Sequence, residues 1–572
     1  MSLSKNHSAS EVANSHEPDI PEGRVASSQR AIPVPPSHNI HEAVEAHSFF
    51  WRNRLFECLL ILSMALFYLI GNQSVKYPIG NLAAWNPLLG LPFLCIFIAV
   101  CWYRLPFALG LLPLALPYYL MPKVVVRSAS FSPAEIVLWI CVAVACLQLA
   151  MFRHKWSYRR SLPEIRTQLG PFFWPILLFV LVSLISIVIA SEHNVALRAF
   201  REEIFDPLIY VGLILLCFRT RQDLGRLLGA LFATGLVVAF FSIVQFYLFQ
   251  DTYAVYGSDP SVGLLFDYTL PVGLAIVLAR ISWKVRLFVL LLCIPFIYAL
   301  VHNNSRGSVI AAFPIAVIFV VILAFRNRKV LLVSSMLALV LAAGGYGVFH
   351  NKVNNFVMNT IINGHADKKG ISTLTRRLYL WQSATAMIHD QPWLGYGLDN
   401  WLCHYADPHV TVSDTTDDTR YKPNDPQFAW VQSCPAAPHY YIVGEVNGKT
   451  THMYDQADLS HPHNIFLHVW VSVGIFGLLA FIAFLVLFFW SFGAILRYLA
   501  KHQIVDSEHW RWMAIAAAAA LLAALVQGVV DSSFLAQDLS FCFWLLMATI
   551  FVIRSQIGMS WQDLLPLRRT QL

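Results

Sequence analysis

The sequence is poor in charged residues. Asp, Glu, Lys and Arg make up only 13% of its 572 residues, roughly half of their usual share in soluble proteins, while 57% of the residues are apolar. A soluble core does not need so many apolar runs of about 20 residues, so the composition predicts a protein that crosses a membrane many times. The net charge of +7 is then expected to lie mostly in cytoplasmic loops, and no nucleic-acid partner is expected.

Common catalytic and metal-binding signatures are also missing. The sequence contains no Walker A motif, no GxSxG, no HExxH and no soluble domain large enough to hold a nucleotide sugar. It has no CxxC and no Cys/His zinc spacing. Asp455 and Asp458 form only a weak pair of carboxylates. We therefore expect neither a metal nor another cofactor.

Apolar runs predict an all-α integral membrane protein with about fourteen spans. Twelve is the fallback, because 105–121 and 207–218 are short enough to be re-entrant or interfacial. The predicted spans are 54–71, 87–103, 105–121, 133–152, 171–190, 207–218, 227–249, 263–280, 286–302, 308–325, 330–348, 464–495, 512–530 and 541–554.

Basic residues predict the orientation of these spans. Four loops that the span count places on one side are rich in Lys and Arg, which is typical of the cytoplasmic side. Those residues are Arg153, Lys155, Arg159, Arg160 and Arg166; Arg219, Arg221 and Arg226; Arg280, Lys284 and Arg286; and Arg326, Arg328 and Lys329. Both termini are expected on that side, and no cleavable signal peptide is visible.

The chain is expected to divide into five parts. A polar, disordered cytoplasmic tail at 1–50 and a cytoplasmic tail at 556–572 flank two parts of a transmembrane bundle, at 51–349 and 463–555. A large external loop at 350–462 separates the two parts of the bundle. Five arginines fall on the external side and break the usual bias, so they need an explanation: Arg198, Arg201, Arg306, Arg376 and Arg377.

Part of the external loop has helical periodicity. Leu374, Leu378, Trp381, Thr385 and Ile388 repeat at helical spacing; Ser372 or Thr373 could cap this helix and Pro392 would end it. Arg377 lies one turn before Trp381, at the border of the apolar stripe. Farther on, Cys403 and Cys434 could form a disulfide if the loop faces an oxidising compartment.

Histidines cluster where this loop meets the next span, in Ser460-His461-Pro462-His463-Asn464. A neutral imidazole accepts a proton from a hydroxyl near neutral pH, so His463 is the candidate base. His461 and Asn464 compete for that role or orient the ring or substrate. His468, one turn into the helix, is expected to pack or form hydrogen bonds. A purely structural role at the membrane boundary is the alternative for the whole cluster.

Each external arginine also has two interpretations. Arg306, in Ser305-Arg306-Gly307, either binds a phosphate or anchors a helix by reaching to the interface. Arg377 either binds an anion or stacks on Trp381. Arg198 and Arg201 either bind an anion or pair locally with Glu202, Glu203 or Asp206.

Three segments in order resemble the O-antigen ligases and related polymerases. They are Asn304-Ser305-Arg306-Gly307, the stretch from Arg377 through Trp381 to Pro392-Trp393-Leu394-Gly395-Tyr396-Gly397, and His463-Asn464-Ile465-Phe466-Leu467 followed by Gly474-Ile475-Phe476-Gly477. The resemblance covers roughly residues 300–490 and separates ligase from polymerase poorly. The extra length at the N terminus has no assigned role.

The resemblance implies a GT-C-like, metal-independent, inverting glycosyltransferase of the Gram-negative inner membrane, with its site on the periplasmic side. It implies a glycan on undecaprenyl diphosphate as donor and, for a ligase, a sugar hydroxyl of the lipid A–core oligosaccharide as acceptor. Arg306 and Arg377, with Arg198 or Arg201, would hold the diphosphate. His463 would take the acceptor proton, and His461, Asn464 and Trp381 would orient the acceptor. Both lipid substrates would enter sideways from the surrounding membrane lipids, under the loop.

Three functions compete at this stage. The first is the ligase, and the second is a polymerase that extends the glycan on the same carrier. The third is a polysaccharide flippase, in which arginines bind a passing diphosphate and no bond forms. The resemblance favours the first two, and the combination of histidines with arginines argues against the third.

Overall fold

The computed structural model describes the chain as two units, 1–54 and 55–572. The first contributes only the beginning of one helix to the described part, and all contacts below are within the second. The described residues are 39–73, 80–126, 129–151, 162–250, 254, 256, 259–303, 305, 307–324, 373–405, 434, 440, 443–446, 449–452 and 461–564.

Helices dominate the described residues. The first group is α1 (Asn39–Leu69), α2 (Leu91–Tyr103), α3 (Leu105–Leu111), α4 (Pro133–Met151), α5 (Leu162–Leu169), α6 (Phe173–Ile189), α7 (His193–Ala199), α8 (Asp206–Cys217) and α9 (Arg221–Phe249). The second is α10 (Asp259–Leu278), α11 (Trp283–His302), α12 (Phe313–Ala324), α13 (Thr373–Asp390), α14 (Trp401–Tyr405), α15 (Ile465–Lys501), α16 (Ser507–Gly528) and α17 (Gln537–Gln556).

Shorter helical turns join several of these helices. Turns of 3-10 helix cover Gly80–Ala84, Pro87–Gly90, Leu112–Tyr118, Gly170–Phe172 and Gln562–Leu564, and π-helical turns cover Phe200–Phe205 and Ser308–Ala312. The fold is therefore that of an all-α polytopic membrane protein, as predicted from the apolar runs.

Fewer helices than expected are long enough to cross a membrane. Among the described residues eight have the length and hydropathy of a span, or nine if the bent pair Pro87–Tyr103 and Leu105–Tyr118 counts as one. The segments predicted at 207–218 and 308–325 contain helices of only 12 residues, α8 and α12. The segment predicted at 330–348 lies outside the described residues.

The short predicted span at 105–121 belongs to the bent pair. The chain turns by 116° between α2 and the helical segment that follows it. Pro106 lies in the first turn of α3, where a missing N–H costs little, so a new helix begins easily at this bend. The alternative that 105–121 is re-entrant therefore fits the geometry better than a straight span does.

Helix α17 lies at the centre of the bundle. Its apolar window is 94% buried, as expected for a helix that is hydrophobic on every face. Just before it, Phe534 packs on Phe543 of α17 and on Phe481 of α15, with ring centroids 4.5 and 5.0 Å apart. These aromatic contacts fix the segment 529–536, which joins α16 to α17, against the core.

Two small β-hairpins depart from the all-α expectation. Strand β1 (Lys123–Val126) pairs antiparallel with β2 (Ala129–Phe131), and β3 (Val443–Val446) pairs antiparallel with β4 (Lys449–His452). Buried Lys123 contacts the carbonyl oxygens of Phe67 and Ile70 through Nζ. It thereby satisfies acceptors at the C-terminal end of α1 that the helix leaves unpaired.

The predicted loop helix is present as α13, and the segment that follows it repairs a break in α15. At Gly474 the backbone has φ 70° and ψ −175°, so α15 is two helices joined at a kink. The N–H groups of Tyr396 and Gly397 donate to the carbonyls of Val471 (2.7 Å) and Ser472 (3.1 Å), and the Ile475 N–H donates to the Pro392 carbonyl at 3.0 Å. The loop thus pairs the backbone groups that the kink releases.

Gly474→Ala should therefore destabilise the protein. A Cβ there would lie 2.0 Å from the Trp393 carbonyl oxygen, and the backbone conformation is one that only glycine adopts without strain. We expect a loss of at least about 2 kcal/mol, seen as an apparent Tm lower by several degrees in detergent. Gly493→Ala, on the same helix with open space around it, is the control and should leave Tm unchanged or raise it. Equal Tm values for both variants would refute this account.

Candidate functional site

His463 forms a short hydrogen bond with a buried carboxylate. Its Nδ1 lies 2.6 Å from Oδ1 of Asp531, which is 1% exposed. A carboxylate accepts hydrogen bonds, so this contact requires the proton on Nδ1 and leaves the lone pair on Nε2. In the described part of the chain Nε2 has no hydrogen-bond partner, so it is available to take a proton.

Two other contacts hold this pair in position. The Ser532 backbone N–H donates to the same Asp531 oxygen at 2.9 Å, and the Trp381 indole N–H donates to the His463 carbonyl at 3.3 Å. His463 itself has a positive φ of 51°, an uncommon conformation for a residue other than glycine. Backbone and ring are thus constrained from both sides.

His461 shares the carboxylate. Its Nε2 lies 3.3 Å from Oδ1 of Asp531, and its ring meets the His463 ring edge-on with centroids 4.8 Å apart. The His468 ring stacks on His461, and His468 Nδ1 lies 2.6 Å from the Ser532 hydroxyl. His468 is therefore a packing and hydrogen-bonding residue in this structure, as its position one turn into the helix indicated.

Asn464 does not orient the imidazole through a ring contact. Its Oδ1 accepts from the N–H groups of Phe466 and Leu467, both at 3.0 Å, and its Nδ2 donates to the Val529 carbonyl at 2.9 Å. Asn464 is thus the N-cap of α15 and ties its start to the loop that carries Asp531. The expectation of a direct orienting contact to the ring is wrong; Asp531 makes that contact.

Arg377 brings a cation beside this group. Burial lowers the pKa of its guanidinium, and the charge of Asp531 opposes that shift. Its Nη1 is buried without a hydrogen-bond partner in the described part of the chain. No stacking of Arg377 on Trp381 is found among those residues; the indole bonds to His463 instead. A buried donor of this kind is available to an anionic ligand.

The charges of this group set its protonation. Burial raises the pKa of Asp531, but His463, His461 and Arg377 outweigh it and hold that pKa well below its usual value. Burial lowers the pKa of His463, with the Asp531 charge acting in the opposite direction. At neutral pH the group therefore contains an ionised carboxylate and a neutral His463, with Arg377 as the permanent positive charge.

Arg306 lies outside the described residues, but its neighbours border the same region. The Ser305 hydroxyl lies 3.0 Å from the Ser308 hydroxyl, which donates to Asp267 Oδ2 at 2.9 Å. A Cβ on Gly307 would lie 2.0 Å from Oε1 of Gln527, four residues before Asp531. The segment around Arg306 therefore packs against the end of α16 from which Asp531 follows.

Arg198 and Arg201 form local ion pairs. Arg198 Nε lies 3.1 Å from Glu202, and Arg201 Nη2 lies 2.6 Å from Glu202 and 2.9 Å from Glu135. The local-pairing interpretation therefore describes their contacts. Arg198 is 72% exposed and Arg201 37% exposed, so neither is enclosed as Arg377 is.

Asp399 connects this arginine region with the histidines. Burial raises its pKa to about 6, with Arg198 and His461 opposing the shift. Its φ of 53° is positive, and the neighbouring Asn400 holds the loop by accepting from the Glu192 N–H at 2.7 Å. A titratable carboxyl group thus faces the same region as His461.

A disulfide closes the loop over this region. Cys403 and Cys434 are bonded, which is the pairing expected from their location. Both are buried, and the His404 carbonyl accepts from the Tyr440 N–H at 2.8 Å. His404 Nε2 lies 3.0 Å from the Ser191 hydroxyl, so the loop also contacts the segment after α6.

The residues His461, His463 and Asp531 are also the group that best fits a metal ion in the described part of the chain. Their ligand atoms lie within 4.8 Å of one another. The separation of 2.6 Å between His463 and Asp531 is that of a hydrogen bond. Two ligands that each bind zinc at about 2.0 Å in tetrahedral geometry lie farther apart, so holding a metal would require this pair to separate.

Sequence analysis missed Asp531 and Asp399. Asp531 directly follows an apolar run at the same end of the bundle as the histidines, and that location was the available signal. Asp399 lies just after the Gly395-Tyr396-Gly397 segment, and no local pattern marked it. Both contacts join residues far apart in the chain, which local spacing does not reveal.

Comparison with known proteins gives one family match. Residues 287–482 match the family model described as O-antigen ligase. No curated protein matches the chain. The matched range includes Arg306, Arg377, Trp381 and the histidine cluster, whereas Arg198, Arg201 and Asp531 lie outside it.

Proposed function

Through residues 287–482 the chain belongs to an O-antigen ligase-type family, and from this premise we propose that it is a glycosyltransferase that moves a polysaccharide from a lipid diphosphate to a sugar hydroxyl. In this proposal the donor is linked to undecaprenyl diphosphate and the acceptor is the lipid A–core oligosaccharide. The reaction takes place on the periplasmic face of a Gram-negative inner membrane. The buried His463–Asp531 pair beside the guanidinium of Arg377 is the observation that carries the proposal.

His463 acts as the general base. As the acceptor hydroxyl oxygen attacks the anomeric carbon, its proton passes to Nε2, the nitrogen that Asp531 leaves unprotonated. Asp531 remains ionised, holds the ring in this tautomer and stabilises the imidazolium that forms. General-base catalysis of this kind contributes typically 10²–10⁴-fold.

Arginines stabilise the leaving group. The bond from the anomeric carbon to the diphosphate oxygen breaks with its electron pair, so negative charge develops on the diphosphate. Arg377 provides a guanidinium that is already buried and does not need to be desolvated during the reaction. Arg306 is the second proposed contact. Arg198, more exposed, is a third proposed contact through its free guanidinium edge, with Arg201 as its alternative.

Displacement from the face opposite the leaving group inverts the anomeric centre. The base and the cations are then required on opposite sides of the reacting carbon. His461, which shares Asp531, and Trp381, which fixes the His463 backbone, orient the acceptor side in this proposal. The disulfide-closed loop covers both sugars.

Replacement of the proposed diphosphate contact should slow transfer. Arg377→Gln removes the charge and keeps much of the side-chain volume, so we expect kcat to fall about 10²–10³-fold, as for the loss of one oxyanion donor. Arg221→Gln, which removes a partly exposed arginine paired with Asp506, is the control and should have little effect. A normal kcat for Arg377→Gln would remove this residue from the mechanism.

The pH dependence of transfer should follow the lowered pKa of His463. A base must be neutral to act, and a pKa below the usual 6.5 keeps it neutral to lower pH. We therefore expect kcat/KM to rise with pH along a limb that lies below 6.5 and to be level at pH 7. Measurement of kcat/KM from pH 4.5 to 8 tests this. An acid limb centred above pH 7 would contradict the proposed environment of His463.

The decisive experiment supplies purified lipid A–core and a lipid-linked glycan to the purified protein in the presence of EDTA. Transfer to the core supports the ligase. Growth of the glycan on its carrier instead would identify the polymerase that shares the same family segments. Movement of the lipid across the bilayer without any new bond would favour a flippase. Activity that EDTA abolishes and magnesium restores would overturn the metal-independent mechanism.

A further inference from the structure

A large apolar cavity lies apart from the histidines, in the N-terminal part of the bundle. It has a volume of about 520 Å³ and is bounded by α1, by α3 with the turn Leu112–Tyr118, by the start of α4 and by the second half of α9. Its lining is almost wholly apolar and aromatic, for example Met64, Phe97, Leu111, Val137 and Phe241. These residues precede the range that the family comparison matched, so the match assigns the cavity no role.

The cavity opens at the surface of the bundle. The lining residues on α1 and α9 include Ile61, Val244 and Leu248, which are 45%, 39% and 67% exposed. Deeper lining residues such as Phe97 and Val137 are 3% and 4% exposed. The opening therefore lies between α1 and α9, on a surface that in a membrane faces hydrocarbon. A linear apolar chain can enter there without crossing water.

One end of the cavity reaches the neighbourhood of the candidate site. Tyr118 and Ala254 line that end, and the adjacent Tyr119 packs on Tyr256 with ring centroids 6.1 Å apart. The Tyr256 hydroxyl donates to Oδ2 of Asp538 at 2.8 Å. Asp538 is in the first turn of α17, which the segment containing Asp531 joins to α16. A continuous series of contacts thus runs from the cavity to the loop of the proposed base.

From this continuity we infer that the cavity holds the hydrocarbon tail of the polyprenyl carrier of the donor; the inference rests on the proposed function. The volume is within the range of sites that enclose one small ligand, so it accepts part of a single chain. An acceptor anchored by several acyl chains would not fit a cavity with one opening of this size. Burial of the tail would position the diphosphate at one end of the bundle, where the arginines lie.

The test compares donors that carry an undecaprenyl or a farnesyl tail on the same diphosphate glycan. For the wild type we expect the KM of the undecaprenyl donor to be about tenfold lower, since tail binding contributes equally before and during the reaction. Val244→Trp, which fills the mouth of the cavity, should raise that KM about tenfold and leave both the farnesyl KM and kcat unchanged. Phe241→Ala, which enlarges the cavity, is a second variant that introduces no extra bulk.

The matched control is Val188→Trp. Val188 is 75% exposed on α6, away from the cavity, so this change should leave both KM values unaltered. Equal KM values for the two donors in the wild type, or equal effects of Val244→Trp and Val188→Trp, would overturn the inference.

A binding readout separates this inference from the proposed function. A photoactivatable undecaprenyl phosphate, reacted with the whole protein in detergent, should label peptides of α1, α4 or α9, and Val244→Trp should reduce that labelling severalfold. Labelling elsewhere, or labelling that bilayer phospholipid displaces as well as unlabelled polyprenyl phosphate does, would refute the cavity assignment. Labelling of the cavity without transfer to any acceptor would retain the tail site and reject the glycosyltransferase.

Discussion

His463→Ala should reduce transfer about 10²–10⁴-fold while donor binding is kept. The variant removes the nitrogen that accepts the acceptor proton, but it leaves Arg377 and its charge in place. The loss should therefore appear in kcat, with the dissociation constant of the labelled donor unchanged. Initial transfer rates and equilibrium binding of the donor, measured on the same preparation, test both parts.

His389→Ala is the matched control for this variant. His389 is 88% exposed on α13, so its removal should leave both transfer and binding unchanged. His461→Ala distinguishes the two histidines that share Asp531. A full loss in His461→Ala, with activity retained in His463→Ala, would transfer the role of base to His461. Normal activity in both variants would support a protein that binds the diphosphate without forming a bond.

Asp531→Asn should cost about 10³–10⁴-fold in kcat, comparable to the loss of the orienting carboxylate in serine proteases. The amide has nearly the shape of the carboxylate, but its NH₂ group would donate to Nδ1 and so favour the proton on Nε2. The nitrogen that faces substrate would then be unable to accept a proton. Donor KM should change little, because Asp531 touches no substrate in the proposed mechanism.

The pH profile distinguishes this positioning role from a structural one. The charge of Asp531 raises the pKa of His463, so in Asp531→Asn that pKa should fall further and the acid limb of kcat/KM should move to lower pH. Asp506→Asn, at a 43% exposed carboxylate, should not move the limb. Asp531→Glu restores the charge and should recover part of kcat. An unmoved limb with a lower Tm would reduce Asp531 to a structural residue.

The general fold could be predicted because its main determinant is local. Continuous apolar runs indicate spans, and the repeat from Leu374 to Ile388 predicted α13 within a loop. The kink at Gly474 could not be predicted in the same way. It depends on the Pro392–Gly397 segment, more than 70 residues earlier, which supplies the hydrogen-bond partners that a continuous helix would not need. Spacing along the chain contains no information about such pairing.

The candidate site was predicted only in part for a related reason. His463 and Arg377 stood out because a basic or titratable residue at the external end of an apolar run is unusual. Asp531 did not stand out, since an acidic residue in a short loop is ordinary until its burial and its partner 68 residues away are known. Asn464 was assigned to the ring although its amide satisfies the start of a helix, a common role for asparagine at that position.

The kink in α15 has a mechanical consequence. The turns from Ile465 to Val473, just after the paired histidine, are fastened to the external loop by three backbone hydrogen bonds and an indole contact from Trp470 to the Pro392 carbonyl. The remainder of α15 is joined to them through one glycine. Spanning helices tilt to match bilayers of different thickness. Here the glycine acts as a universal joint, so such tilting is decoupled from the imidazole and its carboxylate, which stay in register with the roof above them.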